Sequence, residues 1–159
     1  MTTCAYKDGI LATDSCWTFG DTQTTSLIKV RRLASGALLG GAGDNDDRSV
    51  VTLLDKVKTF EKLPSKADLA ATRCCFVGLL VLPRGKVVMI DIEPIEGYTH
   101  FDAQVWEANR GIAAIGSGSR YALGAMAAGK SAKDAVAIAC RFDINSRPPV
   151  HTMALQPKR

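Results

Sequence analysis

Thr2 and Thr3 follow the initiator methionine, and a threonine at position 2 can do chemistry that threonine elsewhere cannot. Cytosolic processing removes an initiator methionine that precedes a small residue, so Met1-Thr2-Thr3 is expected to mature to a chain beginning at Thr2. A threonine hydroxyl alone is a weak nucleophile. A free α-amine on the same residue, with a reference pKa of about 7.7 to 8.0, can serve as its base. Met-Thr-Thr is also an ordinary way for a chain to start, so the chemistry requires partners elsewhere in the sequence.

Two charged residues are candidates. Cys4-Ala5-Tyr6-Lys7, Asp8-Gly9 and Ile10-Leu11-Ala12-Thr13-Asp14 read as strand, two-residue turn and strand, because Asp-Gly between apolar runs is a strong hairpin signal. The second strand runs back past the N-terminus and delivers Asp14 beside it. A further extended run, Leu27 to Leu33, alternates in period two and puts Lys29, Arg31 and Leu33 on one face. A lysine in a strand is ordinarily solvated.

Taken in order, Thr2-Thr3, Asp14-Ser15, Lys29-Val30-Arg31-Arg32 and Gly40-Gly41-Ala42-Gly43-Asp44 resemble the proteasome β-subunit family of N-terminal nucleophile (Ntn) hydrolases, most of all the bacterial HslV-type ring peptidases. In that family an N-terminal threonine attacks the substrate carbonyl, an aspartate and a lysine complete the site, and a glycine amide forms the oxyanion hole. The resemblance assigns these roles to Thr2, Asp14, Lys29 and Gly40. The family's Gly-Ser-Gly element is matched by Gly116-Ser117-Gly118, which gives Ser117 the supporting hydroxyl. Its Asp-x-x-Ser element is matched more loosely by Asp143-Ile144-Asn145-Ser146, followed by Arg147-Pro148 where the family has paired glycines. The likeness spans nearly the whole chain, and its specificity lies in the order and spacing of five elements.

The same residues have a physical logic of their own. A lysine held beside the threonine hydroxyl by Asp14 stays charged, because opposite charges a few ångströms apart favour each other's ionised form. That cation eases the build-up of negative charge on the hydroxyl oxygen and leaves the α-amine free to take the proton. A backbone N–H at the glycine-rich turn around Gly40 can approach the oxyanion without a side chain in the way, and one such donor is worth about 2.7 to 4 kcal/mol of barrier. Ser117 reads as a hydrogen-bond partner that orients the amine, although by itself it is a loop serine between glycines.

Composition bounds the rest. A chain of 159 residues, 47% hydrophobic and 23% charged, suits a single globular domain over residues 1–159. No apolar run reaches membrane-spanning length and no charged-then-apolar leader opens the chain, so it is expected to stay in the cytoplasm without a membrane partner. Five cysteines, Cys4, Cys16, Cys74, Cys75 and Cys140, lack metal-type spacing and read as packed thiols. With only His100 and His151 besides, neither a metal nor a cofactor is expected. Cys16 as a nucleophile beside a distant histidine has no support. The formal charge of +4 is scattered among acids, as in Asp55-Lys56-Val57-Lys58, which argues against nucleic acid.

After the Gly40 turn, Asp44 to Asp47 place acids at a helix start, and apolar residues from Val50 to Phe60 recur at helical spacing, predicting a helix from about Asp46 to Glu61. Pro64-Ser65 stops it, and Ala67 to Ala71 has room for a turn or two. Cys74 to Leu82 and Lys86 to Ile92 read as strands around Pro83-Arg84-Gly85, and Ile112 to Ile115 as a short strand entering the Gly-Ser-Gly turn. Helices follow over about Arg120 to Ala128, closed by Gly129, and Ala132 to Phe142, opened by a Ser131–Asp134 capping box. A strand from Val150 to Leu155 closes the sheet, and Pro157-Lys158-Arg159 is expected to fray. This is an α+β order. The resemblance implies a four-layer α-β-β-α sandwich of mostly antiparallel sheets, a homo-oligomeric ring acting on peptides or unfolded protein, and an AAA+ unfoldase as candidate partner. One departure concerns those contacts: the family has a full second helix where this chain has only a turn or two. The Gly20-Asp21-Thr22-Gln23 loop also lacks the glycine and lysine common there, which bears on substrate preference.

One motif competes. Gly124-Ala125-Met126-Ala127-Ala128-Gly129-Lys130-Ser131 spells the phosphate-loop pattern of a P-loop NTPase. Its residues are strong helix formers, whereas a phosphate loop needs a strand before it and an irregular backbone. The position of Gly124, inside or outside a helix, separates the two. A catalytically silent ring subunit and an Ntn amidase acting on a small amide are the remaining alternatives. Retention of Thr2, Asp14 and Lys29 together disfavours the first, and threonine rather than cysteine or serine at the front disfavours the second. The expectation is a threonine-type endopeptidase working through an acyl-enzyme on Thr2.

Overall fold

The computed structural model describes residues 2–43, 48–95, 100–108 and 111–156. In chain order its strands are β1 (Thr3–Lys7), β2 (Ile10–Thr13), β3 (Trp17–Phe19), β4 (Thr22–Thr24), β5 (Val30–Arg32), β6 (Leu38–Gly43), β7 (Phe76–Val81), β8 (Val87–Ile95), β9 (His100–Glu107), β10 (Ile112–Gly116) and β11 (His151–Ala154). The helices are α1 (Arg48–Leu54), α2 (Lys66–Ala70), α3 (Ser119–Ala127) and α4 (Ala132–Phe142), with a 3-10 turn at Phe60–Lys62. The chain is α+β, and all the strand pairs are antiparallel.

The first hairpin forms as its turn residues dictate. Asp8 and Gly9 both take positive φ, 50° and 80°, matching the twist that joins β1 to β2 with Cys4 opposite Thr13 and Lys7 opposite Ile10. β10 and β11 flank this hairpin to give a sheet ordered β10-β1-β2-β11. A second sheet runs β5-β6-β7-β8-β9, while β3 and β4 pair with each other. Cys4, Tyr6, Leu11 and Ile115 of the first sheet meet Val30, Leu38, Leu79 and Val81 of the second in one buried cluster. Ala5, Ala12 and Ala114 pack with Ala122 and Met126 of α3 and Ala135 and Val136 of α4 in another. Val50 and Leu54 of α1 and Leu69 of α2 join Leu80, Ile90 and Ile92 in a third.

Several expectations change. The helix over 46–61 is short and ends at Leu54, because Asp55 turns to other partners: its carbonyl accepts the Ser35 N–H at 2.8 Å and its carboxylate the Ala34 N–H at 2.8 Å. Its expected acidic start, Asp44 to Asp47, lies outside the described residues, as do the C-terminal residues 157–159. The Gly40 segment is not a turn but the body of β6. Glycine is required there by sheet-to-sheet packing, since a Cβ on Gly40 would come within 2.8 Å of Cys4 Sγ. The 27–33 run contributes only β5, with Lys29 just ahead of it, so strand alternation does not set that side chain's direction. Leu33 enters the helix-side cluster, and Arg31 is half-buried. The Gly20-Asp21 loop is a hairpin turn between β3 and β4, with Gly20 at φ 56°. β9 had no clear sequence signal, and β8 runs on to Ile95.

The second helix is short, as its sequence indicates: α2 spans five residues, opened by a Ser65–Asp68 capping box. Ser131 caps α4 by accepting the Asp134 N–H at 3.1 Å. Gly124 lies inside α3 and its carbonyl accepts the Ala128 N–H at 3.0 Å. Gly129 at φ 91° closes that helix in a Schellman arrangement, its N–H on Met126 and that of Lys130 on Ala125. The phosphate-loop letters therefore spell a helix and its cap rather than a phosphate loop. No helix among the described residues is long and apolar enough to cross a membrane.

The two sheets are joined through Leu79, which is fully buried between them. Leu79→Ala is expected to lower unfolding stability by about 2 to 5 kcal/mol, read as a fall in the urea midpoint at unchanged slope.

Candidate active site

Hairpin register brings the first two partners together. Thr2 immediately precedes β1 and Asp14 immediately follows β2, and the Asp14 N–H donates to the Thr3 carbonyl at 3.0 Å. Lys29 arrives from the other sheet, just before β5, where its carbonyl accepts the Gly41 N–H at 3.2 Å. Its side chain then reaches across to the start of β1.

The three groups converge on one oxygen. Thr2 Oγ1 donates to Asp14 Oδ1 at 3.0 Å, Lys29 Nζ donates to Asp14 Oδ1 at 2.9 Å, and Lys29 Nζ also donates to Thr2 Oγ1. All are buried: Thr2 is 1%, Asp14 0% and Lys29 6% exposed. Asp14 collects three further donors, the Thr3 N–H at 2.9 Å on Oδ1, and the Cys16 and Arg147 N–H groups at 2.8 and 3.2 Å on Oδ2. Five donors occupy the acceptor capacity of this carboxylate, which makes it an anchor for the ammonium and the hydroxyl.

Asp143 organises a second cluster next to the first. It caps α4, and its Oδ2 accepts from Ser117 at 2.7 Å and from Ser146 at 2.5 Å, while the Asn145 N–H reaches Oδ1 at 3.3 Å. Ser146 Oγ also pairs with Thr3 Oγ1 at 2.6 Å, so the chain of contacts runs from the carboxylate to the residue beside the nucleophile candidate. Burial raises the Asp143 pKa, but hydrogen bonds from Ser146, Ser117 and the Asn145 N–H, with the Arg147 charge, outweigh it and hold the carboxyl below its ordinary value. Burial pushes the Cys4 thiol well up, helped by the Asp14 charge, and Cys140 up to about 11, so neither is a thiolate nucleophile. Cys16 is fully buried.

Of the six residues singled out in the sequence, Thr2, Asp14 and Lys29 form one hydrogen-bonded group, and Ser117 and Asp143 a second. Ser117 bonds to Asp143 rather than directly to Thr2. Gly40 stands outside both groups, paired in β6 with Val30 and Leu79. The Gly-Ser-Gly turn fits tightly against the N-terminal residues: Gly116 sits at φ 87° opposite Thr3, where a Cβ would run into the Thr2 carbonyl, and one on Gly118 would meet Thr3 Oγ1. Four contributors escaped the sequence reading: Thr3, Ser146, and the backbone N–H groups of Cys16 and Arg147. Ser146 had a signal in its Asp-x-x-Ser spacing. The two N–H groups had none, because any residue but proline carries one.

No protein-family model matches this sequence, and no curated protein matches it. Among solved structures it is similar to Thiobacillus denitrificans BPH in complex with Epoxomicin, at 21% identity and a TM-score of 0.65 over 98% of this chain and 99% of that one. It is similar as well to Thiobacillus denitrificans BPH by itself, at 21% identity and a TM-score of 0.61 over 99% of each chain. At that identity the likeness concerns the fold.

Two outcomes follow from the site's electrostatics. Lys29→Ala strands a buried carboxylate and is expected to cost about 3 to 5 kcal/mol of stability, whereas Lys29→Arg should recover part of it in the same denaturation series. Asp143 has a depressed folded pKa, so its contribution is present above its unfolded value and fades as pH falls through the lower folded one. Asp143→Asn should therefore flatten the acid limb of the stability–pH curve, and an unaltered limb contradicts the assignment.

Proposed function

We propose that this chain is a threonine-type endopeptidase of the proteasome-like, HslV-related kind. Its N-terminal nucleophile would be Thr2, and it would work as a homo-oligomeric ring on peptides or unfolded protein. The observation that carries this is the convergence of a buried ammonium, Lys29, and a buried carboxylate, Asp14, on the Thr2 hydroxyl. A structural threonine has no need of a desolvated ion pair, which is costly to bury. The finer architecture proposed is the four-layer α-β-β-α sandwich of the Ntn hydrolases. Three buried clusters support it, one between the sheets and one under each helix pair.

In the proposed reaction, Met1 leaves first and frees the α-amine of Thr2. The hydroxyl oxygen attacks the substrate carbonyl and its proton passes to that amine, while the Lys29 ammonium stabilises the charge developing on Oγ1. The resulting oxyanion needs a backbone donor, a role proposed for Gly40. Collapse breaks the peptide C–N bond, the departing amine takes the proton, and water then hydrolyses the ester to regenerate the hydroxyl. Thr2 is only 1% exposed, so the hydroxyl must become accessible before a substrate can reach it. A ring enclosing these sites, and an AAA+ unfoldase feeding it, belong to the same proposal. The brevity of α2 means that any such docking would differ from one that uses a full helix there.

Epoxomicin is the natural probe, since it is bound by a protein of similar fold. Processed chains are expected to gain one epoxomicin mass on intact-mass measurement, and chains that retain Met1 none. Thr2→Ala still permits Met1 removal and deletes only the hydroxyl, so it should lose both the adduct and peptide turnover. Turnover by Thr2→Ala equal to that of the parent refutes the assignment of the nucleophile.

A further inference from the structure

The turn that follows α4 is closed by the Ser146 N–H on the Asp143 carbonyl at 3.2 Å and is fastened further by one side chain. Arg147 Nη1 donates to the Ser146 carbonyl at 2.9 Å and to the Asp143 carbonyl at 3.3 Å. The Asp143 carbonyl, at the C-terminal end of α4, lies at the negative end of the helix dipole, so a guanidinium is a favourable second partner for it. The backbone of the same residue faces the other way. Its N–H reaches Asp14 Oδ2 at 3.2 Å and its carbonyl accepts the Ser15 N–H at 3.0 Å, while Ser15 Oγ donates to the Pro149 carbonyl at 2.6 Å.

We propose that Arg147 is a positioning residue: by fastening the 143–146 turn, its guanidinium holds its own N–H on Asp14 and the Ser146 hydroxyl between Asp143 and Thr3. This rests on the proposed role of Thr2 only for its catalytic consequence, since the contacts themselves are independent of any reaction. Arg147 touches neither Thr2 Oγ1 nor Lys29 Nζ in the hydrogen bonds described, so its effect travels through the two carboxylates. Both clusters then share one fastener. The sequence hides this, because Arg147-Pro148 stands where the family resembled has paired glycines, a substitution that looks like loss of the element rather than a different way of holding it.

The charged and titratable groups around Asp143 are Arg147 in the turn and Cys140 and Arg141 on α4, which line the same cavity of about 340 Å³; Asp14 and Lys29 act on the neighbouring Cys140. Ser117 and Ser146 supply its hydroxyl donors. Replacing Arg147 by alanine keeps the backbone N–H and deletes only the fastener and its charge, whereas Arg147→Lys keeps the charge and loses the planar fork.

The test uses the full chain and two independent measurements. Carbon-detected NMR titration follows the Asp143 carboxyl, and amide spectra follow the Thr3 and Cys16 N–H groups that report on Asp14. In Arg147→Ala the Asp143 carboxyl is expected to titrate at higher pH than in the parent and both amides to shift; Arg147→Lys should restore the titration but not the amides. The rate of epoxomicin addition to processed chains is expected to fall about tenfold in Arg147→Ala. Titration and amides unchanged in Arg147→Ala overturn the proposal whatever the reactivity. If Arg147→Ala does not fold, amide positions in Arg147→Lys identical to the parent overturn it instead. A parent chain that never reacts with epoxomicin refutes the peptidase assignment and leaves the NMR measurements to decide the role of Arg147.

Discussion

Five hydrogen-bond donors on one buried carboxylate hold the centre of this molecule together. Asp14 is fully excluded from water, and an ionised carboxylate in that position is tolerable only if its oxygens are satisfied. Its donors come from four different parts of the chain: the N-terminal Thr2 and Thr3, the following turn at Cys16, the second sheet through Lys29, and the turn after α4 through Arg147. The hairpin, the sheet-to-sheet packing and the last helix must all be in place before this set closes. The fold and the constellation are therefore one problem, because misplacing the hairpin, the second sheet or the last helix costs Asp14 one or more of its donors.

The packing between the sheets serves the same end. Gly40 gives up a side chain so that Cys4 and Leu11 can settle against β6, and the closeness of that contact lets the Lys29 side chain span from one sheet to the other. On the opposite face of the first sheet, small residues dominate. Ala5, Ala12, Ala114, Ala122 and Ala135 allow α3 and α4 to lie close to the strands, which sets Asp143, at the end of α4, beside Ser117 and within one serine of Thr3. Small side chains thus shorten the distances that the polar groups have to cover.

Local signals carried well into the structure. The Asp8-Gly9 turn, the Gly129 cap and the Ser131 cap each depend on a few adjacent residues, and each formed as read. Asp14 and Lys29 were also readable, although Lys29 for an imperfect reason: it lies ahead of its strand, not within the alternation. Elements fixed by distant partners were not readable. The helix beginning at Arg48 stops early because Asp55 is drawn to the turn around Ser35, and β6 is a strand despite its glycines because β5 and β7 pair on both sides of it. β9 alternates weakly and owes its form to β8. The Ser117–Asp143 hydrogen bond was not readable either, since its two members come from separate stretches of chain.

The β3–β4 hairpin leaves from the turn after Asp14 and leads back to Lys29, and among the described strands it pairs with nothing but itself. Asp14 before it and Lys29 after it are each tied to a larger sheet, through the Thr3 carbonyl and the Gly41 N–H, so the ion pair does not depend on what lies between them. Such a segment can be lengthened, shortened or recomposed at small entropic expense. The length and composition of this excursion can thus vary while the two charges it connects stay put.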